Sequence, residues 1–269
     1  MTIIQALIYG IVQGLGEFLP ISSTAHLLIL QKIFGQEALF KAQNFANTFD
    51  IALHIGTLVA VILFFWKDWI RLIKSGFTDV KSASGRLFWC LAIACIPGGI
   101  AGVLFEDKIT KYFHAMWTIG LALIIMGFVL YITDKYGRER IKTENAGFFR
   151  SIVIGISQAL AIIPGVSRSG ITIAAGRVMG LTREAAARFT FLLSTPFILG
   201  SALYKLKDMK DIAQSQIGPV PFAVAIVTSG IVGALSIKFL LNYLKKRGFG
   251  IFVVYRIVIG IVLISTVLF

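Results

Sequence analysis

Glu17-Phe18-Leu19-Pro20-Ile21-Ser22-Ser23-Thr24-Ala25-His26 stands inside an apolar stretch that runs over about residues 3–30. A proline, three adjacent hydroxyls and two ionisable side chains interrupt what would otherwise be one hydrophobic helix. A second interruption, Pro164-Gly165-Val166-Ser167-Arg168-Ser169-Gly170, falls within about residues 151–182. Irregular backbone at membrane depth survives only where protein buries it or a wet cavity borders it, so each stretch predicts a re-entrant helix pair. The two stretches are related to each other. At a constant offset of 145, Gly10 meets Gly155, Ile11 meets Ile156, Gln13 meets Gln158, Leu15 meets Leu160 and Ser22 meets Ser167, with Thr24 opposite Ser169.

Around these breaks lie six uninterrupted apolar segments, about 49–66, 88–105, 116–133, 189–205, 219–241 and 250–268. Each has the length that crosses a bilayer core of about 30 Å. Trp66, Trp69, Trp89 and Trp117 fall at segment ends, where indole rings favour the headgroup region. Of the 269 residues 57% are hydrophobic and only 14% charged, against roughly a quarter charged in ordinary globular chains. A soluble enzyme, a coiled coil, a disordered chain and a disulfide-stapled domain are excluded. Each break is followed by three spans, and three is odd, so the second copy should enter the membrane from the opposite face. The expected fold is an all-α polytopic membrane protein: six transmembrane helices plus two re-entrant helix pairs in an inverted repeat. The repeats cover about 3–133 and 148–269 of a single integral membrane domain, 1–269.

A net charge of +13 would suggest nucleic acid in a soluble chain. Here the basic residues sit in loops beside anionic lipid, so membrane lipids are expected as partners and no nucleic acid. Segments 67–87, 134–150 and 242–248 carry thirteen Lys and Arg; segments 1–48, 106–114 and 205–218 carry seven. The excess places the first set in the cytoplasm and both termini outside. Cys90 and Cys95, without His or carboxylate neighbours in sequence, read as small buried hydrophobes.

Ionisable side chains inside apolar segments cost about 2.5–3.5 kcal/mol each on insertion scales, so they mark function. Gln13 and Glu17 are four apart and share a helix face. Together they can hold a hard divalent cation such as Mg²⁺ or Ca²⁺, or Glu17 can act as a base. Ser22, Ser23 and Thr24, followed by His26, offer hydroxyls and an imidazole at a helix start. In the second copy Ser167, Arg168 and Ser169 stand between Gly165 and Gly170. Glycine-bordered helix starts bind anions, and Arg grips phosphate with two parallel hydrogen bonds. One loop therefore carries acid, nucleophile and base types, and the other carries the cation. That division suits phosphoryl transfer, which is mainly positioning and charge stabilisation.

The stretches Gln13-x-x-x-Glu17-Phe18-Leu19-Pro20-x-Ser22-Ser23-Thr24-x-His26 and Pro164-Gly165-x-Ser167-Arg168-Ser169-Gly170 resemble the two signature motifs of the undecaprenyl-pyrophosphate phosphatase family, the bacitracin-resistance type. The likeness extends over essentially the whole chain, including Phe191-Leu192-Leu193 before Pro196 and the Tyr255-Arg256 pair. It implies a multi-pass enzyme of the bacterial plasma membrane that hydrolyses a polyprenyl diphosphate lipid to its monophosphate at the outer face. That reaction recycles the lipid carrier for cell-wall synthesis and confers bacitracin resistance. A divalent cation requirement is implied as well. Glu17, Ser23, His26 and Arg168 fall on residues the family holds essential, and Gln13 stands where many members have Glu. Ser23, His26 and water all remain open as the attacking group, and a homodimer is left open. The rival expectation is a secondary transporter or lipid flippase, since broken helices meeting at midplane also serve alternating access. Asp50 and His54, four apart at the start of the first span, can face the cavity but read first as structural or helix-start residues, and Tyr255 with Arg256 as a tie of the last span to the core. Arg177, Arg183, Glu184 and Arg188 read as ion-paired or lipid-facing, and His114 with Glu106-Asp107-Lys108 as a solvated loop.

Overall fold

The computed structural model describes residues 1–41, 43–137, 140–205 and 218–268. Every regular element in them is helical. Six helices are long and apolar enough to cross a membrane: Phe45–Phe64, Ala83–Phe105, Met116–Tyr136, Arg183–Tyr204, Pro219–Leu244 and Gly250–Val267. The chain is an all-α polytopic membrane protein, as its sequence predicts. The spans belong to α4 (Gln43–Phe64), α6 (Ala83–Phe113), α7 (Met116–Tyr136), α10 (Arg183–Lys205), α11 (Pro219–Leu244) and α12 (Gly250–Leu268).

The interrupted stretches are helix–break–helix units. In the first, α1 (Ile3–Phe18) ends at the proline and α2 (Ser23–Ile33) begins on the hydroxyls. In the second, α8 (Gly147–Ala159) runs through one 3-10 turn to the break, after which α9 (Arg168–Val178) begins. At 1.5 Å per residue the 16 residues of α1 reach about 24 Å, short of the bilayer core. The chain doubles back sharply: a Cβ on Gly16 would lie 2.7 Å from Ser23 Cα, so only glycine admits the crossing.

The two halves interlock. The first helix of each half packs on the second span of the other, α1 along α11 and α8 along α6. The first spans α4 and α10 touch each other, and the third spans α7 and α12 pair closely. The two breaks are thereby brought to one place, where the core closes under them: Phe18 meets Phe191 edge to face, ring centres 5.5 Å apart.

Two loop expectations are corrected. Segment 67–87 contains a further helix, α5 (Trp66–Thr78), which buries Leu72 and Gly76 and exposes Ile70, Ile73 and Phe77. Its alternation of apolar residues with Lys67, Asp68, Arg71 and Lys74 is that of a helix lying in the interface, too short to span. The run Glu106-Asp107-Lys108 continues α6 instead of forming a loop, although its side chains lie outside the described residues. Most of segment 205–218, counted above in the charge balance, also lies outside them. The short α3 (Glu37–Lys41) links α2 to α4.

Arg256 on α12 fastens the breaks together. It is 1% exposed, and its guanidinium donates to four carbonyls: Pro20 O (3.0 Å), Gly165 O (2.7 Å), Val166 O (3.1 Å) and Leu123 O (3.3 Å). Each orphaned buried polar group costs about 1–3 kcal/mol. Arg256→Leu should therefore destabilise the fold by at least about 3 kcal/mol, seen as a fall in the detergent-solubilised protein's melting temperature. An unchanged melting temperature would show that the breaks are held by other contacts.

Candidate active site

Ser22 and Ser167, equivalent positions in the two halves, are the non-glycine residues with positive φ among those described, at 76° and 73°. This backbone region costs an L-residue about 1–2 kcal/mol and is occupied only where surroundings force it. Arg256 supplies that force from the neighbouring carbonyls. Both serines are helix N-caps: Ser22 Oγ accepts from Ala25 N (3.4 Å) and Ser167 Oγ from Gly170 N (3.2 Å). The strained turn aims the start of each helix, with its unsatisfied N–H groups and positive dipole end, at the place where the breaks meet.

Glu17 occupies that place. It is 6% exposed, at the last turn of α1. Oε1 pairs with the Arg168 guanidinium from the first turn of α9. Oε2 accepts from Ser23 Oγ (3.1 Å) and from Gln13 Nε2 (3.2 Å). The Arg168 guanidinium also lies over the Phe197 ring, 5.3 Å from its centre, which holds the fork in one plane. Carboxylate, hydroxyl and guanidinium from two halves of the chain thus meet at one point.

His26 does not join them. Its Nδ1 lies 2.7 Å from Ser22 O and its Nε2 lies 2.7 Å from Tyr255 Oη. A carbonyl only accepts, so Nδ1 carries the proton and, in the neutral ring, Nε2 accepts from the tyrosine hydroxyl. The two rings stack, centres 5.5 Å apart and 11° from parallel. Tyr255, read from sequence as a tie to the core, is thus the partner that orients His26. Tyr255→Phe keeps the stack and removes one hydrogen bond worth about 1 kcal/mol. The expected result is a roughly fivefold fall in turnover with KM little changed. A change confined to KM would place Tyr255 on the lipid instead.

The remaining predicted phosphate ligands divide. Thr24 is exposed and Ser23 and Arg168 half-buried, so these can meet a ligand. Ser169 Oγ donates to Leu19 O (3.0 Å) and so stitches break to break, while Ser167 Oγ, 3.1 Å from Ser169 Oγ, bonds within its own break. Gly165 has φ of 95° and faces Ile119 O, which a Cβ would approach to 2.8 Å; its role is to permit the turn.

Two residues read as structural turn out to border the centre. His54, in the interior of α4, places Nε2 3.6 Å from Glu17 Oε2, and its Nδ1 lies 2.8 Å from Asp50 O and 3.4 Å from Asp50 Oδ1. Two ionisable side chains one helical turn apart in an apolar span were the available signal. By contrast the basic residues beyond α9 are ion-paired: Arg183 with Asp134 (2.6 Å) and Arg188 with Asp68 (2.7 Å). Arg177, fully buried, donates to the carbonyls of Leu181, Asp134 and Gly137.

Comparison with known proteins gives concordant matches. The family described as bacitracin resistance protein BacA matches residues 6–262. The chain is 46% identical over 265 residues to the undecaprenyl-diphosphatase of Moorella thermoacetica, covering 98% of both proteins. It is 47% identical over 266 residues to that of Pelotomaculum thermopropionicum, covering 98% of this chain and 96% of the other. The protein of the same name from Desulforudis audaxviator is 46% identical over 260 residues.

Proposed function

The chain belongs to the bacitracin resistance protein BacA family, and from that premise we propose that it works as an undecaprenyl-diphosphatase through the Glu17 centre. It removes the terminal phosphate of undecaprenyl diphosphate and leaves the monophosphate. The observation that carries the mechanism is the Ser23 hydroxyl on Oε2 of a carboxylate whose Oε1 holds Arg168.

The diphosphate enters between the starts of α2 and α9, where helix N–H groups and Thr24 receive its oxygens. Arg168 turns its fork from Glu17 towards the terminal phosphate, which shares the negative charge the guanidinium needs. Glu17 takes the proton from Ser23, and Ser23 Oγ attacks the terminal phosphorus as the bond to the bridging oxygen breaks. Undecaprenyl monophosphate leaves, and water then cleaves the phosphoserine to return Ser23 and inorganic phosphate. His26 is held by Ser22 and Tyr255 and not by Ser23; to give a proton to the departing lipid phosphate, the protonated ring would release Tyr255 and turn Nε2–H to the bridging oxygen.

Gln13 Oε1 is a buried acceptor without a partner, beside the Glu17 carboxylate. Oxygen donors of this kind fit a hard divalent cation such as Mg²⁺ or Ca²⁺, held by Glu17 and Gln13. When bound, such an ion offsets charge on the diphosphate.

The setting we propose is the bacterial plasma membrane, with the basic loops in the cytoplasm, the halves inserted in opposite senses and the centre open to the outside. There the reaction returns the lipid carrier to cell-wall synthesis and counters bacitracin. Purified protein given undecaprenyl diphosphate and a divalent cation should release one phosphate per lipid. Absence of release with every cation tried would overturn the enzymatic reading, since the same fold can serve a different function.

A further inference from the structure

The geometry around Glu17 points to His54 as a nitrogen ligand of the divalent cation, anchored from behind by Asp50. This inference rests on the phosphatase reading for the presence of a cation, and it adds the identity of a ligand and the class of metal that follows from it.

Three donors gather round one oxygen. Ser23 Oγ, Gln13 Nε2 and His54 Nε2 stand 3.1, 3.2 and 3.6 Å from Glu17 Oε2. Two ligands about 2.1 Å from one ion stand about 3.0 Å apart across an octahedral edge and about 3.4 Å across a tetrahedral one. Two of these contacts are hydrogen bonds to the carboxylate, and all three groups stand near enough to Oε2 to share an ion with it after small rotations. Rotating the Gln13 amide by half a turn would bring its orphaned Oε1 to the position of Nε2, turning a donor into a ligand.

The orientation of His54 is the second indication. Its Nδ1 faces the Asp50 carbonyl and carboxylate, which makes Nδ1 the protonated nitrogen and leaves the Nε2 lone pair for the centre. Imidazoles that bind metals are held in this way, by a carbonyl or carboxylate behind the ring. At 3.6 Å the Nε2–Oε2 approach is too long for a hydrogen bond. With the ring protonated the contact is an imidazolium–carboxylate pair, and a cation would take the place of the proton on Nε2. Among the described residues no group of three His, Cys, Asp or Glu side chains converges, so the site depends on the amide and hydroxyl oxygens to complete it.

One nitrogen among oxygens changes the metal preference. All-oxygen sites suit Mg²⁺ and Ca²⁺, whereas an imidazole ligand shifts preference towards first-row transition metals such as Zn²⁺, among which Mn²⁺ binds most weakly. The chain should therefore bind Mn²⁺ more tightly than Ca²⁺.

The test uses Mn²⁺ alone, added to chelator-stripped full-length protein in detergent and followed by electron paramagnetic resonance. The expected result is one bound Mn²⁺ whose spin-echo modulation shows coupling to a ¹⁴N nucleus. His54→Gln should lose that coupling and bind Mn²⁺ about 10–100-fold more weakly, while Asp50→Asn should keep the coupling with weaker affinity. Unchanged melting temperatures would show that both variants are folded. No saturable Mn²⁺ binding, binding without nitrogen coupling, or coupling that persists in His54→Gln would each overturn the assignment; a plain imidazolium–carboxylate pair would then remain. Phosphate release by the same preparation separates the two readings. Release without nitrogen coupling removes His54 from the metal and leaves the phosphatase standing. Coupling without release does the opposite.

Discussion

Arg168→Lys should lower phosphate release by about 100-fold or more, even though it keeps the positive charge. The reason lies in what surrounds the guanidinium. Its edge reaches Glu17 Oε1 and its face lies on the Phe197 ring. A planar fork can stay on the ring while its N–H groups are redistributed from carboxylate to phosphate, and two parallel bonds fix the direction of the phosphate. An ammonium is a single compact charge with no face to stack and no second bond to give. It would still neutralise Glu17. Lysine thus separates two roles that alanine would remove together: balancing a buried carboxylate and holding charge in the transition state. The comparison is turnover and KM of both forms at saturating cation. A lysine protein with near-normal turnover would show that Arg168 only balances Glu17. A rise in KM with turnover preserved would mean that Arg168 binds substrate and transition state equally.

The architecture was legible because a bilayer makes demands that sequence displays directly. Six apolar runs and two interruptions by proline and serine are enough to place spans and breaks, and the repeat of Gln13 and Ser22 in Gln158 and Ser167 predicted equivalent backbone. The matching positive φ at both serines is the physical content of that repeat. The centre was only partly legible. Glu17, Ser23 and Arg168 declared themselves by being polar where polarity is costly, and they do meet. His54 obeyed the same rule, yet at the start of the first span it read as a structural or helix-start residue ahead of one facing the cavity. Its place beside Glu17 depends on how α4 packs against α1, which no local pattern encodes. Tyr255 failed to announce itself for the same reason, since 229 residues separate it from His26. The α5 helix was missed because its charges dominate the segment's composition, and only its periodicity shows an apolar side.

The pairing of Ser23 yields the sharpest test. Three-residue spacing in sequence suggests Ser23 and His26 as a nucleophile and its base. In the structure the Ser23 hydroxyl is on Glu17, 3.1 Å away, while both nitrogens of His26 are taken by Ser22 O and Tyr255. Groups that act as a unit lose function together, so removing the second after the first costs little. Ser23→Ala should reduce turnover on the order of 1,000-fold or more, and Glu17→Gln on the order of 100- to 10,000-fold. If Glu17 is the base for Ser23, the Ser23→Ala, Glu17→Gln double variant should be no worse than the poorer single one. His26→Ala, acting on the departing phosphate, should instead combine with Glu17→Gln nearly multiplicatively. Glutamine keeps the size of the side chain and can still meet Ser23, so the comparison isolates loss of the carboxylate's basicity. Rapid quenching supplies the covalent check: a phosphoserine at Ser23 is expected, and it should accumulate if water attack is the slower step. A phosphohistidine at His26 would reverse the assignment. So would a cycle in which Ser23 and His26 are coupled while Ser23 and Glu17 are independent, because the structure would then show the resting pair and not the reacting one.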